Sequence, residues 1–248
     1  NLTSGHGLVL RGNNYSVRGL TIEWFPDDGV RLENGASGNR LEGNWILANE
    51  QYGVHVLSGS NRNVIGPENL ISANWQDGVH IAGAGTSFNI VWGNTIGEDP
   101  KNPSGAPNRR NGIRVRGDAS ENYIGVDGPG AGADMKANII HGNNENGIHV
   151  DSGASKTFMR GNRVWGNGDP GVPAVRIAES ARAPRYLPWF VTPTGGGVDG
   201  RAYAPNGSII DFYCGETPTD AQDYMGRTLV ENRAFHYFLA CPGGTTTK

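Results

Sequence analysis

Several features that would narrow the function are scarce in this sequence. Its 248 residues contain no run of about 18 apolar residues, so no membrane span is expected. Only two cysteines occur, Cys214 and Cys241. The formal net charge is −3, so no basic surface for nucleic acid is expected either. Hydrophobic residues make up 36% of the chain, which suits one thin, long core better than a thick one.

Glycine is abundant, with 39 residues, and many of the glycines belong to an internal repeat. The repeat consists of Asn, any residue, an aliphatic residue, two residues, Asn, three residues, Gly, and an aliphatic–any–aliphatic triplet. Complete or partial copies lie at residues 7–10, 29–32, 44–56, 69–81, 112–115, 138–150, 162–171 and 174–177. A further column of Asn or Thr follows each repeat glycine by about ten residues, at Asn39, Asn63, Asn89, Asn122 and Thr157.

The repeat predicts short strands that stack into a solenoid. Each aliphatic–any–aliphatic triplet has the two-residue period of a strand with one buried face. Strands this short cannot bury a face alone, so successive coils must stack about 4.8 Å apart. We expect the asparagines at corners, where they tolerate left-handed backbone and pass amide hydrogen bonds between coils. We expect the repeat glycine to supply backbone freedom at another corner.

The spacing of the copies predicts two insertions. The residue after each repeat glycine marks steps of 24, 25, 34 and 35 residues, from Val30 to Val54, Val79, Ile113 and Ile148. The two long steps place an insertion of about ten residues within 97–110 and another within 126–136, and their Pro and Gly content favours protruding loops. Leucine spacing excludes a leucine-rich repeat, missing Trp-Asp landmarks exclude a propeller, and the absence of a 3.6-residue period excludes helical repeats.

The predicted fold is therefore all-β, a right-handed parallel β-helix of about seven coils followed by a small antiparallel β-rich module. Over residues 5–180 the pattern resembles the repeat of pectate-lyase-like proteins, in the Asn- and Gly-rich version of large bacterial and archaeal extracellular proteins. That resemblance implies a secreted or cell-surface location. It leaves function open, because such proteins include lyases, hydrolases, epimerases, adhesins and structural proteins. Residues 1–5 lack signal-peptide features, so we expect a mature or trimmed piece.

The periodicity stops after Ile177. We expect a β-helix over residues 1–180, a Pro- and Gly-rich linker or wrapping segment over 181–197, and a small β-rich module over 198–248. Strands are predicted at 208–214 and 234–241, with a third within 226–232. The module resembles the small immunoglobulin-like modules that follow β-helices in bacterial surface proteins. We favour a disulfide between Cys214 and Cys241, worth about 3 kcal/mol, over two buried thiols.

The middle residues of the strand triplets form the main candidate site. They point outward and read Val9, Arg31, His55, His80, Arg114, His149 and Arg176. This stripe is a candidate binding surface for an acidic polysaccharide, with His55, His80, Arg114 and His149 as catalytic candidates. The alternative is an ordinary polar face, and the crowding of like charges would keep the histidines neutral. No cofactor or metal is expected, because spacing brings no third ligand to His55 and His80.

Aromatic and acidic residues give weaker candidates. Trp45, Trp92 and Trp165 fall at outward positions and Trp75 at a corner, where they would either stack on sugars or pack under loops. The column of Asp28, Asp77, Asn111 and Asn146 is assigned to turns. Asp118, Glu121 and Asp151 are not expected to converge with it.

Two functions remain open on these grounds. The first is a non-catalytic extracellular scaffold, such as a stalk, adhesin or self-assembling filament subunit, with glycan contact as an optional feature. Open solenoid ends expose strand edges, so identical subunits joined end to end or by strand exchange are the expected partners, with polysaccharide as another. The second is a polysaccharide lyase or glycoside hydrolase acting on an acidic polysaccharide.

Overall fold

The fold was analysed in a computed structural model. It describes residues 5–98, 106–125, 137–169 and 175–177, and the backbone of residues 188–194, 197–202, 209–214, 223–229 and 234–238. No helix in these described parts is long and apolar enough to cross a membrane.

The solenoid consists of short strands, most of them three residues long. In chain order they are β1 (Leu8–Leu10), β2 (Ser16–Arg18), β3 (Thr21–Glu23), β4 (Val30–Leu32), β5 (Arg40–Glu42), β6 (Trp45–Leu47), β7 (Val54–Val56), β8 (Val64–Ile65), β9 (Leu70–Ser72), β10 (Val79–Ala82), β11 (Ile90–Val91), β12 (Thr95–Gly97), β13 (Ile113–Arg116), β14 (Tyr123–Gly125), β15 (Ile139–His141), β16 (Ile148–Val150), β17 (Phe158–Arg160), β18 (Arg163–Trp165) and β19 (Val175–Ile177).

These strands form three parallel sheets that run the length of the described solenoid. The first sheet has the order β1-β4-β7-β10-β13-β16-β19, the second β17-β14-β11-β8-β5-β2, and the third β18-β15-β12-β9-β6-β3. Every third strand in sequence therefore pairs with its neighbour one coil away. This is the topology of a parallel β-helix, and it confirms the predicted fold class.

The strand register confirms the predicted stacking. Val30 pairs with Val54, Val54 with Val79, Val79 with Ile113 and Ile113 with Ile148. The same residues are buried, as are the second aliphatic residues of the triplets, and they fill one continuous core. Both long steps keep this register, so the added residues between 98 and 106 and between 125 and 137 leave the pairing of the coils unchanged.

Three buried asparagine ladders connect the coils at the corners. In each ladder the side-chain amide donates to the side-chain oxygen of the asparagine in the next coil, at 2.8–3.0 Å in the links we measured. The ladders are Asn39–Asn63–Asn89–Asn122, Asn44–Asn69–Asn94–Asn138–Asn162 and Asn49–Asn74–Asn108–Asn143–Asn167. This confirms the expected coil-to-coil amide bonding.

The backbone role assigned to the asparagines was wrong. The ladder asparagines are absent from the residues with positive φ, whereas the residue just before them commonly has it, as in Ala48 (φ 53°), Arg62 (φ 54°) and Gly93 (φ 65°). The left-handed turn thus precedes the asparagine and directs its amide into the corner. Because glycine, alanine and charged residues share that position, no single residue type marks it in the sequence.

The repeat glycines are also required for a different reason than expected. Gly29 and Gly53 do not have left-handed backbone. A Cβ atom at Gly53 would lie 2.6 Å from both the Gly78 carbonyl oxygen and the Ile71 side chain. Space between neighbouring coils, rather than backbone freedom, therefore selects glycine at this corner.

Beyond the solenoid the backbone forms antiparallel strands, as predicted for the small module. They are β20 (Pro188–Thr194), β21 (Gly197–Ala202), β22 (Ile209–Cys214), β23 (Asp223–Leu229) and β24 (Ala234–Phe238). β21 pairs with β20 and β24, and β22 pairs with β23. β20 falls within the segment predicted as a linker, and the domain boundaries stay predictions. Cys241 lies outside the described residues, so its disulfide with Cys214 stays a prediction as well.

Candidate functional site

The outward file of the first sheet is aligned as the sequence indicated. Strand register places Val9, Arg31, His55, His80, Arg114, His149 and Arg176 one above the other. We call this file and the residues that contact it the first-sheet face. Beside it runs a second file, one residue before each repeat glycine: His6, Asp28, Tyr52, Asp77, Asn111 and Asn146.

Asp28 contacts the N-terminal members of the first-sheet face, Arg31 and His55. Its buried carboxylate accepts a hydrogen bond from Arg31 Nη1 at 2.9 Å and lies 3.1 Å from His55 Nδ1. The Arg31 Nε donates in turn to Glu33 at 2.6 Å. Burial alone would raise the pKa of Asp28, but its hydrogen bonds with His55 and Arg31 outweigh burial and lower it.

Asp77 has the same role two coils further along the file. His80 Nδ1 lies 2.7 Å from its Oδ2, and because a carboxylate only accepts, Nδ1 carries the proton. Asn111 donates to Oδ1 through its backbone N–H at 3.0 Å and its side-chain amide at 2.8 Å. These hydrogen bonds outweigh burial and lower the pKa of Asp77. Burial lowers the pKa of His80, so the imidazole is neutral at pH 7.

Tyr52 covers the histidines. Its ring stacks on the His80 ring with centroids 4.2 Å apart, and it meets the His55 ring edge-on at 4.6 Å. Only 3% of His80 is exposed in consequence. His80 points outward as predicted, but the Tyr52 ring covers it, a contact that the repeat pattern does not indicate. Burial raises the pKa of the Tyr52 hydroxyl, and the Asp77 and Asp28 charges add to this.

Arg114 and His149 form the upper part of the face. Arg114 makes a hydrogen-bonded ion pair with Asp151. His149 is half-buried, and burial followed by the Arg114 charge lowers its pKa. Arg176 is exposed at the end of the file.

The charges of the first-sheet face are therefore largely compensated from within. Arg31 is held by Asp28 and Glu33, and Arg114 by Asp151. In the Asp77–His80 pair the proton on Nδ1 is directed to the carboxylate, which leaves Nε2 of the neutral ring as an acceptor. Within the described ranges, no group of three His, Cys, Asp or Glu side chains has the geometry to hold a metal ion.

The tryptophan candidates lie on other faces. Trp45 is 56% exposed on the outer side of the third sheet, where it pairs with Thr21 and Leu70. Trp92 is half-buried next to β11 of the second sheet. Trp165 packs against His141, with ring centroids 4.7 Å apart. None of these residues joins the first-sheet face, so the predicted binding set is split between three surfaces.

The partners missed from the sequence had a detectable signal. Asp28 and Asp77 each precede the stripe residue by three positions, in Asp28-Gly29-Val30-Arg31 and Asp77-Gly78-Val79-His80. Once the triplet is known to be a strand behind a tight corner, that spacing places the carboxylate beside the stripe side chain. The stacking of Tyr52 on His80 crosses to the next coil and depends on side-chain direction, which the repeat pattern does not specify.

Fold and register define a class: the chain is a right-handed parallel β-helix protein. Residues 1–96 match the protein family described as "Right handed beta helix region". No curated protein sequence matches the chain significantly.

Solved structures of variants of the periplasmic alginate epimerase AlgG are similar to it. Three of them superpose with TM-scores of 0.54, 0.54 and 0.50, each at 18% sequence identity. The matches cover 70–72% of this chain but only 36–45% of the epimerase chains, so the chain spans less than half of their length. At this identity the likeness establishes the shared fold.

Proposed function

We propose that this chain is a non-catalytic, β-helical scaffold of a protein that is secreted or displayed at the cell surface, where it contacts glycans. A stalk, an adhesin or a subunit that assembles with identical chains fits this proposal. The observation that carries it is the internal pairing of the first-sheet face, where Asp28, Asp77 and Asp151 hold the side chains that would otherwise bind or react.

Electrostatics supports a structural role for that face. A surface for a polyanion needs cations that are available to it, whereas Arg31 and Arg114 are both engaged by carboxylates. His80 is buried and neutral. Pairs between coils, such as Asp28 with His55 and Arg114 with Asp151, stabilise the stacking of the coils. Pairs within a coil, such as Asp77 with His80, give buried polar side chains a hydrogen-bond partner.

The fold and its relatives support a location outside the cytoplasm. The structurally similar epimerase is named as periplasmic, and the Asn- and Gly-rich repeat resembles that of extracellular proteins.

An enzymatic assay tests the proposal directly. The purified chain is incubated with alginate, polygalacturonate and hyaluronate. Ultraviolet absorbance detects unsaturated lyase products, a reducing-end assay detects hydrolysis, and proton NMR detects epimerisation. We expect no turnover above that of a boiled sample. Turnover that disappears in His55→Ala would contradict a non-catalytic scaffold.

A polysaccharide-acting enzyme is the second candidate, and one specific observation favours it. Tyr52 and His55 are in ring contact, and Arg31 Nη1 lies 3.4 Å from His55 Nδ1. A base so placed could remove the proton next to a uronate carboxylate, the cation could stabilise the resulting enolate, and the acid could return a proton either to the enolate in epimerisation or to the leaving glycosidic oxygen in elimination. Under this candidate Tyr52→Phe lowers the rate with little change in KM, which the scaffold proposal does not allow.

A further inference from the structure

Three exposed tryptophans lie away from the first-sheet face. Trp24 is 73% exposed, Trp45 56% and Trp75 42%. Trp24 directly follows β3 and Trp45 begins β6, both at the third sheet, and Trp75 lies just past the Asn74 corner that follows β9. The three residues belong to three successive coils. We call this surface the tryptophan face.

Folding does not account for tryptophan at position 24. Trp24 has left-handed backbone, with φ 63°, where the register places Ala48 in the next coil and Ala73 in the one after it. A bulky side chain in that conformation costs on the order of 1 kcal/mol. The exposed indole recovers little of this through burial. A contact made outside the chain is the remaining reason to keep an indole there.

Trp45 and Trp75 have neighbours that order the strand of the first and the ring of the second. Trp45 extends from a strand that is hydrogen-bonded on both sides, between Thr21 and Leu70. Arg109, one coil beyond Trp75, places its guanidinium 4.2 Å from the centre of the indole. This cation–π contact holds the ring plane while leaving its other face available. The backbone beneath Trp45 and the ring of Trp75 are therefore preorganised, which lowers the entropy lost on binding.

The charged groups nearby identify the kind of ligand. Glu23 is adjacent to Trp24, and Glu50 lies at the corner position that Trp75 occupies one coil later; both are exposed. Among the described residues, neither glutamate has an ion-pair partner. Carboxylates accept hydrogen bonds from hydroxyl groups and repel other carboxylates. Arg109 adds one positive charge beside Trp75, so the two glutamates and this arginine carry a net charge of −1. This combination favours hydroxyl-rich, uncharged rings over uronates.

We propose that the tryptophan face binds a neutral polysaccharide, whose pyranose rings stack on the indoles while its hydroxyls donate to Glu23 and Glu50. Trp24 and Trp45 are one coil and three positions apart, about 11 Å between Cα atoms, so the ligand is a chain rather than a single sugar. This inference rests on the glycan contact in the proposed function and names its ligand class. A protein partner that uses the same indoles is the competing occupant.

Isothermal titration with cellohexaose, xylohexaose and mannohexaose tests the proposal, with an alginate hexamer as the acidic probe. We expect at least one neutral hexamer to bind and the alginate hexamer to bind more weakly. Trp45→Ala should weaken neutral binding about tenfold. Phe158→Ala is the matched control, since Phe158 is a 47% exposed aromatic on the second sheet, and it should leave binding unchanged.

Trp24→Gly separates a ligand contact from a structural role. Glycine relieves the left-handed strain, so thermal melting should occur at the same or a higher temperature while neutral binding weakens. The proposal is overturned by absence of binding to all three neutral hexamers, by tighter binding of alginate, or by Trp24 and Trp45 variants with wild-type affinity. Those results leave the scaffold proposal intact, because only turnover of polyuronates contradicts it.

Discussion

Two sets of polar side chains stack along this solenoid, and they are held together in different ways. The asparagine ladders repeat one residue type, and each member makes nearly the same bonds to the coils on either side. The first-sheet face uses different residues in each coil, joined as particular acid–base pairs such as Asp77 with His80 and Asp151 with Arg114. A ladder is therefore a property of the repeat, whereas the face is a property of individual positions.

The ladders should be the more costly of the two to interrupt. Asn89 accepts from the backbone and side-chain amides of Asn63 and donates to the Ser60 carbonyl and to Asn122, all in a buried corner. Asn89→Ala removes these bonds and leaves buried groups without partners. We expect the free energy of unfolding to fall by about 3–5 kcal/mol in urea titrations.

An exposed asparagine provides the control for this prediction. Asn144 lies at a corner but is exposed, and Asn144→Ala should change the free energy of unfolding by less than about 0.5 kcal/mol. Equal losses in the two variants would mean that the ladders contribute nothing beyond the general cost of removing an asparagine.

Interrupting the first-sheet face should cost somewhat less. Asp77→Ala deprives buried His80 and both amide groups of Asn111 of their acceptor, and we expect a loss of about 2–4 kcal/mol at pH 7. Asp77→Asn keeps an acceptor for Asn111 and should lose less. Glu121→Ala, which removes an exposed pair with Lys156, should have no measurable effect. A loss in Asp77→Ala no greater than in Glu121→Ala would show that the face is loosely held.

The smallest expected effect is the pH dependence of the free energy of unfolding, to which the first-sheet face contributes and the asparagine ladders do not. Burial lowers the pKa of His80, so the unfolded chain takes up a proton below about pH 6.5 that the folded chain resists. Stability is therefore full above that pH and falls by about 1 kcal/mol towards pH 5. The lowered pKa values of Asp28 and Asp77 give a further loss below about pH 4. Asparagine ladders do not titrate in this range.

Urea midpoints measured at several pH values check this sign. In His80→Gln the slope between pH 7 and pH 5 should become smaller, while the loss below about pH 4 persists. A wild-type midpoint that rises as the pH falls from 7 to 5 would contradict the direction assigned to the histidine.

The difference between ladders and face also explains what could be predicted from the sequence. The files of Val54, Val79 and Ile113 and the asparagine corners recur at fixed intervals, so the coil path and strand register followed from counting. Stacking order fixed the outward file as well. Exposure did not follow, because Tyr52 covers His80 from the neighbouring coil.

The repeat spacing also did not predict which residues have a left-handed backbone. Positions with left-handed φ include Arg62, Phe88 and Glu121 as well as glycines, so their residue types carry no common signal. The repeat glycines were recognised in the sequence, but the reason that glycine is required there was not. At Gly53 a side chain would clash with the Gly78 carbonyl oxygen of the next coil, which only the structure shows. Trp24 was missed for the same reason: its left-handed backbone is visible only in the structure.

Register that survives the two long steps has a practical meaning for how such chains change. Val79 pairs with Ile113, and Asn74 with Asn108, although about ten extra residues separate the two coils. Additional residues can therefore be inserted at these corners without changing the strand register of the neighbouring coils. Insertions at these two positions can accumulate during evolution without altering the β-helix. The same positions are suitable for grafting peptides by protein engineering.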